Sequence, residues 1–255
     1  GETIAMCYKI AFSTMSLEQK IPPGDPLWGE FNASFSNEEV TTLELANFVY
    51  MGHPFTTWHR NNWRTTENYV LGQHIGLDFD TEDERSTLAY LARDKFIARY
   101  ASILYTTPSH TPDKPRARVV FTLDTPIHQA QNYTAAATAL LWLFGHADPK
   151  AKDAVRFFYG SMNCDLEFVD RVLPLAVVKD LIVRYRETGT QAKRQHDREP
   201  AAGGDLPVRD RVGKGFSVIG FAIAFPCDIA PFDPRGANEA GHAWTKDFGT
   251  INSAY

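Results

Sequence analysis

Cysteine is scarce in this sequence: Cys7, Cys164 and Cys227 are its only three. They lie far apart and form no C-x-x-C pair, which excludes a disulfide framework and argues against a cysteine-rich zinc site. Each is expected to be a small buried side chain in a reducing compartment. Long apolar runs are missing as well. No stretch reaches the roughly 18 residues that cross a bilayer. The best ones are broken by His146, Asp148 and Lys150, or by Asp165 and Glu167. The opening residues, GETIAMCYKIAF, carry no basic cluster ahead of their apolar part and are not read as a secretory signal. Nor is there an excess of basic charge: 26 Lys and Arg stand against 31 Asp and Glu, a net charge of −5. That removes the simplest argument for a nucleic-acid partner, but not a local basic groove. No internal repeat is visible.

What remains is an ordinary globular composition, 44% apolar and 22% charged, which excludes a mostly disordered chain, a coiled coil or a collagen-like fibre. A chain of 255 residues forms one large domain or two small ones, with a core that needs no covalent staples.

The pattern along the chain is mixed. Ile21–Gly29 is a Pro/Gly loop. Ser36–Gly52 reads as one helix, with Ser36 as N-cap and Glu39 three residues on. His74–Asp80 alternates as a strand ending in acids, and Glu84–Tyr100 has helical spacing. Ala101–Ser109 and Arg116–Asp124 read as a hairpin around the turn His110–Pro115. Asn132–Gly145 is a helix rich in Ala and Leu, His146–Asp153 a polar turn, Val155–Ser161 a strand-like run, and Leu173–Gly189 a further helix. After Thr190 the composition shifts. Residues 190–215 hold six basic and four acidic residues and no aromatic, the composition of a linker, and Phe216–Phe225 is an apolar strand candidate. The expected class is α+β, with a domain over residues 1–189 and, over 190–255, a linker and a C-terminal segment that could complete the core.

Three clusters carry chemistry. Asp78 and Asp80, spaced i, i+2 on a strand, point to one face. Two carboxylates at one spot need neutralising, for which a hard divalent cation is one answer and a solvated strand end the other. In SHTPDKPRARVVF, His110 ends one strand, and Arg116 and Arg118 share a face of the next, with Lys114 in the turn. Guanidiniums placed beside carboxylates suit bridging phosphate oxygens, or direct pairing with Asp and Glu. In HADPKAKDAVRFF, Asp148 and Asp153 lie in a turn and Arg156 follows. Asp148 is a third metal ligand or a cap before Pro149. Acids, a histidine and basic residues at strand ends are an inventory for phosphoryl transfer assisted by metal ions.

In this order the clusters resemble the motifs of the archaeo-eukaryotic primase superfamily, in the primase-polymerase form carried by phages, plasmids and some CRISPR-associated proteins. HIGLDFDTED resembles the acid-x-acid motif, TTPSHTPDKPRARVVF the Ser/His nucleotide motif, and FGHADPKAKDAVRFFYGS the third motif, with an Asp and a following Arg. The resemblance implies a catalytic core with an antiparallel sheet like that of an RNA-recognition domain, packed against an N-terminal α/β unit. It implies template-directed nucleotidyl transfer by a DNA primase or polymerase, using two Mg²⁺ or Mn²⁺ ions held by Asp78, Asp80 and Asp148, with Asp153 as rival to Asp148. His110 and Ser109 would meet the phosphates of the incoming dNTP or NTP, with Lys114, Arg116, Arg118 and Arg156 as helpers. Because the motif reads Ser–His, not Ser–x–His, Arg118 is a rival to His110. Arg60 and Arg64 would face single-stranded DNA template or nucleotide, and Trp58, Trp63 and Tyr69 could stack on bases. A primer strand and a helicase or CRISPR/replication accessory domain are the implied partners, in the cytoplasm of a prokaryotic or phage-infected cell. Asp78→Ala is expected to abolish catalysis and spare the fold. A metal-dependent single-strand nuclease and a non-catalytic single-strand-binding module are the alternatives.

Overall fold

The structure, a computed structural model, describes residues 5–196. Among the described residues, two antiparallel sheets and six α-helices build an α+β architecture. Strands β1 (Tyr8–Ser13), β2 (Phe35–Val40) and β3 (Phe55–Thr56) form a small sheet in the order β2-β1-β3. Strands β4 (Trp58–His59), β5 (Tyr69–Phe79), β6 (Ile103–Thr106), β7 (Ala117–Ile127) and β8 (Leu166–Phe168) form a larger one in the order β4-β5-β7-β6-β8. Helices α1 (Leu27–Asn32) and α2 (Thr42–Tyr50) belong to the N-terminal layer. Helices α3 (Leu88–Ala92), α4 (Lys95–Tyr100), α5 (Ala130–Leu143) and α6 (Leu175–His196) follow the first long strand. The expected antiparallel sheet against an N-terminal α/β unit is the arrangement observed. None of the described helices is long and apolar enough to cross a membrane.

Strand periodicity divides the large sheet into two faces. Ile75, Leu77 and Phe79 of β5 and Val119, Phe121 and Leu123 of β7 pack with Leu140, Val178 and Leu181 of α5 and α6 in the main core. The opposite face presents Ile103 and Tyr105 of β6 and Val120 of β7 to Ile10, Phe12, Leu45 and Phe55 of the N-terminal layer. Asp78 and Arg118 lie on that second face, so the N-terminal layer forms the other wall of whatever they build.

Several elements differ from the sequence reading. Ser36–Gly52 is not one helix. FSNEEV pairs along the whole of β1 as a strand, and the helix starts later. Its capping box is Thr41 with Glu44, one turn beyond the Ser36/Glu39 pair. Glu84–Tyr100 is broken in two because Asp94 caps a new helix, accepting the N–H groups of Phe96 and Ile97 at 2.8 and 3.0 Å. Leu91, Phe96 and Ile97 are still buried together, so the face was read correctly and the continuity was not. Val155–Ser161 is not a strand but a strap. Only Phe158 bridges to Phe55, while Thr56 and Thr57 hydroxyls donate to the carbonyls of Arg156 and Ala154 at 2.9 and 2.7 Å. Helix α6 runs on to His196, so the first residues of the expected linker are helical. Cys7 is exposed, against expectation, and Cys164 half-buried; both are free thiols. Cys227 and the candidate strand Phe216–Phe225 lie outside the described residues.

Between the layers sits an acid-sensitive group. His74 of β5 is fully buried against the rings of Phe55 and Phe158, and neither ring nitrogen has a hydrogen-bond partner among the described residues. Burial pushes its pKa down to about 3. From pH 6.5 down to that value the unfolded chain binds a proton at His74 that the fold refuses. Stability from this residue therefore falls with pH, by up to about 1.4 kcal/mol per unit. Denaturant titrations at pH 7 and pH 5 should show His74→Leu losing about 2 kcal/mol less than the parent on acidification. Equal losses would count against the assignment.

Candidate active site

The site is written in strand register. Asp78 of β5 lies directly opposite Arg118 of β7, and Arg118 directly opposite Tyr105 of β6. Directly paired residues of neighbouring strands point to the same face, so three polar side chains stand in a row across the sheet. The Arg118 guanidinium donates through Nε to Asp78 Oδ1, and through Nη1 to the Tyr105 hydroxyl at 2.6 Å and the Tyr159 carbonyl at 2.8 Å. The Tyr105 hydroxyl donates to that same carbonyl at 2.9 Å. Arg156, from the strap, donates through Nη2 to Asp78 Oδ2 at 2.9 Å. Both oxygens of Asp78 are thus taken by guanidiniums.

Phe158 sets this geometry. Its ring lies on Gly76 of β5, where an added Cβ would come within 2.8 Å of it. Only a glycine lets the strap approach so closely. The guanidinium carbons of Arg118 and Arg156 lie 4.8 and 5.5 Å from the same ring centroid, within cation–π range. Burial penalises the Asp78 charge, but Arg118 and then Arg156 outweigh it and hold the carboxyl below its ordinary range. Arg118 is also penalised by burial, yet Asp78 and Tyr105 drive its pKa above the usual value. The pair is ionised and locked.

Around this network lies a cleft of about 450 Å³. Asp78 and Asp80 enter it from the end of β5, Arg116 and Arg118 from the start of β7, and Asp148 and Asp153 from the turn after α5. Arg156, Phe157 and Tyr159 enter from the strap, and Arg64 from the segment before β5. The Asp148 N–H donates to the Asp78 carbonyl at 2.8 Å, which docks the post-helical turn on the strand end. Arg116 pairs with Glu82 just beyond Asp80. Arg64 is held from both sides, by the Val155 carbonyl at 2.8 Å and Asn32 Oδ1 at 3.3 Å, with its guanidinium over the Phe157 ring.

Three separate sequence clusters therefore meet in one place, but not every candidate lines it. His110, Ser109 and Lys114 lie in the β6–β7 loop outside the lining, and His110 Nδ1 accepts the Arg116 N–H at 3.0 Å. Arg60 is exposed and also outside it. Among the aromatics, Trp63 is 48% exposed, whereas Tyr69 is core, its hydroxyl bonded to the Ile127 carbonyl at 2.7 Å. Trp58 lies beneath Lys9 and donates to the Glu38 carbonyl. Lys20, Lys150, Tyr105 and Tyr159 were not singled out from the sequence. For Tyr105 a signal existed, since hairpin pairing of the two strands brings it beside Arg118. Lys20, on a loop remote in sequence, gave none.

The donor set can be tested against a divalent cation. Among the described residues no group of three or more His, Cys, Asp or Glu side chains could form a metal cage. Magnesium does not need one, because it keeps water and is commonly held by one or two carboxylates plus substrate phosphates. Asp80 and Asp148 suit that use. Asp80 is exposed and makes no hydrogen bond among the described residues, while Asp148 commits Oδ1 to the Lys150 N–H at 3.0 Å. Asp78, bound by two arginines, is the less available ligand.

No family model matches the chain, and no curated protein matches it. Among solved structures it is similar to the AEP domain of the cyanophage S-2L primase-polymerase, PrimPol, with 11% identity and a TM-score of 0.41, covering 69% of this chain and 89% of that one.

Proposed function

We propose that the chain is a nucleotidyltransferase of the archaeo-eukaryotic primase type, a DNA primase or polymerase or both, with residues 1–189 as its catalytic domain. The observation that supports this most is the convergence in one cleft of carboxylates and guanidiniums from three separate chain segments. Carboxylates alone would serve hydrolysis equally well. The added arginines favour a substrate with several phosphate oxygens.

In this reading Asp80 and Asp148 would hold Mg²⁺ or Mn²⁺, with Asp78 as the third carboxylate beside them. When bound, such an ion supplies charge neutralisation and a lowered pKa for the attacking hydroxyl. Arg118 stays fixed by Asp78, Tyr105 and the Tyr159 carbonyl, a preorganised positive charge in a site that need not reorganise as charge builds on the phosphoryl oxygens. Arg156, whose side chain is 29% exposed against 7% for Arg118, is the more accessible partner and the one placed to exchange Asp78 for a phosphate oxygen. Arg116 adds charge at the mouth. Trp63 offers a face for base stacking beside a template that also meets Arg60 and Arg64. The 3′-oxygen attacks the α-phosphorus, the bond to the β,γ-phosphates breaks, pyrophosphate leaves, and the hydroxyl proton passes to solvent.

Extension of a labelled primer on single-stranded template, with dNTPs or NTPs and Mg²⁺ or Mn²⁺, tests this. Template-dependent product is expected. Loss of the template without extension would replace the reading with a single-strand nuclease. Binding with neither reaction would replace it with a binding module.

A further inference from the structure

The cleft has a wall that the sequence did not announce. Lys20 lies on the loop between β1 and α1 and lines the cleft with Arg116, Arg118 and Arg156. The loop is pinned on both sides of it. The Leu17 N–H donates to the Gly52 carbonyl at 3.0 Å, and the Ile21 N–H donates to the Tyr159 hydroxyl at 3.2 Å. The Ile21 side chain is buried with Phe31 and Phe35, and Phe157 packs against that cluster. Trp28 Nε1 closes the loop onto the Pro22 carbonyl at 2.8 Å. Lys20 is therefore one residue from an anchor on Tyr159, whose carbonyl holds Arg118 and Tyr105.

Its charge environment is the informative part. Arg118 and Arg156 share Asp78, and Arg116 has Glu82, but Lys20 has no carboxylate partner among the described residues. Although Lys20 is exposed, partial desolvation first, then repulsion from Arg118 and Arg116, lowers its ammonium below the ordinary lysine range against the pull of Asp78. Lys20 lines the same cleft as three guanidiniums, so an anion with several oxygens seated there lies within reach of all four positive charges.

We propose that Lys20 is a binding residue for the polyphosphate of a nucleoside triphosphate, so that the N-terminal layer grips the phosphates from the side opposite the sheet. The inference rests on the nucleotidyltransferase reading for the identity of its ligand, though not for the existence of the anion site. Affinity should then rise steeply with the number of phosphates, and Lys20 should contribute to the longer chains alone.

The test is equilibrium binding of dNMP, dNDP, dNTP and inorganic tripolyphosphate to the full chain, without metal and with Mg²⁺. Parent, Lys20→Ala, Lys20→Arg and the exposed control Lys152→Ala are compared, with thermal melts for each. Lys20→Ala should weaken dNTP and tripolyphosphate about tenfold and dNMP less than about twofold, and Lys20→Arg should restore most of the loss. Lys152→Ala and all melting temperatures should match the parent. Equal weakening across the series, no weakening at all, or no binding of tripolyphosphate by the parent would each overturn the proposal. Polyphosphate binding lost in Lys20→Ala by a parent that extends no primer would keep the anion site and remove the polymerase reading. Primer extension by a protein whose Lys20→Ala variant binds dNTP normally would do the reverse.

Discussion

Asp78→Ala should cost the fold about 3–5 kcal/mol, because it strands two guanidiniums that share one buried carboxylate. The Arg118 side chain is only 7% exposed, so its stranded charge would be poorly solvated. For a chain of this size the expected fall in Tm is on the order of 10 °C. This reverses the sequence-based expectation that Asp78→Ala spares the fold. Asp78→Asn should lose less, since the amide oxygen still accepts one of the two bonds. Combining Asp78→Ala with Arg118→Met should recover part of the loss, because removing both partners of a buried pair is far less costly than removing one. The same carboxylate ties stability to acid. Its pKa is lowered in the fold, so its contribution is fully present above the ordinary aspartate pKa and is lost as pH falls through the folded value. A Tm for Asp78→Ala within a degree of the parent would show that the ion network does not hold the sheet and strap together.

The second large effect falls on catalysis without touching stability. Asp80 lines the cleft, is exposed and bonds to nothing among the described residues. Asp80→Ala should leave stability within about 0.5 kcal/mol of the parent, as surface substitutions generally do. Nucleotide incorporation should fall at least about 100-fold, the scale on which loss of one charge-stabilising group acts. A folded Asp80→Ala variant with parental kcat would remove Asp80 from the reaction. The contrast with Asp78 is the point: two aspartates two residues apart on one strand end play unlike parts, one locked into arginines and one free at the mouth.

Much of this was legible in the sequence, and the reasons it was or was not are physical. The i, i+2 spacing of Asp78 and Asp80 and of Arg116 and Arg118 reports side-chain direction on a strand, which is local, and all four line the cleft. The hairpin around 110–115 was local too and set the Tyr105–Arg118 register. Helix continuity was less secure. Asp94 reads as an ordinary polar position until its carboxylate is seen capping the next turn. FSNEEV carries a helix-start signal that pairing with β1 overrides. The question of what the paired guanidiniums meet had two answers, phosphate oxygens or acidic side chains, and in the structure Arg118 pairs with Asp78 and Arg116 with Glu82. That choice depends on cross-strand register, which no single segment encodes. Lys20 and Tyr159 were invisible because their position comes from tertiary contacts between a loop near the N-terminus and the strap.

The central claim is that the cleft joins a nucleotide to a 3′-hydroxyl and releases pyrophosphate. The most direct measurement follows both products together on a primed single-stranded template with Mg²⁺ or Mn²⁺, for the parent and for Asp80→Ala. The account predicts one pyrophosphate per nucleotide added by the parent, and loss of both in a variant that melts normally. Incorporation by Asp80→Ala at the parental rate, or a parent that consumes template and releases no pyrophosphate, would contradict it.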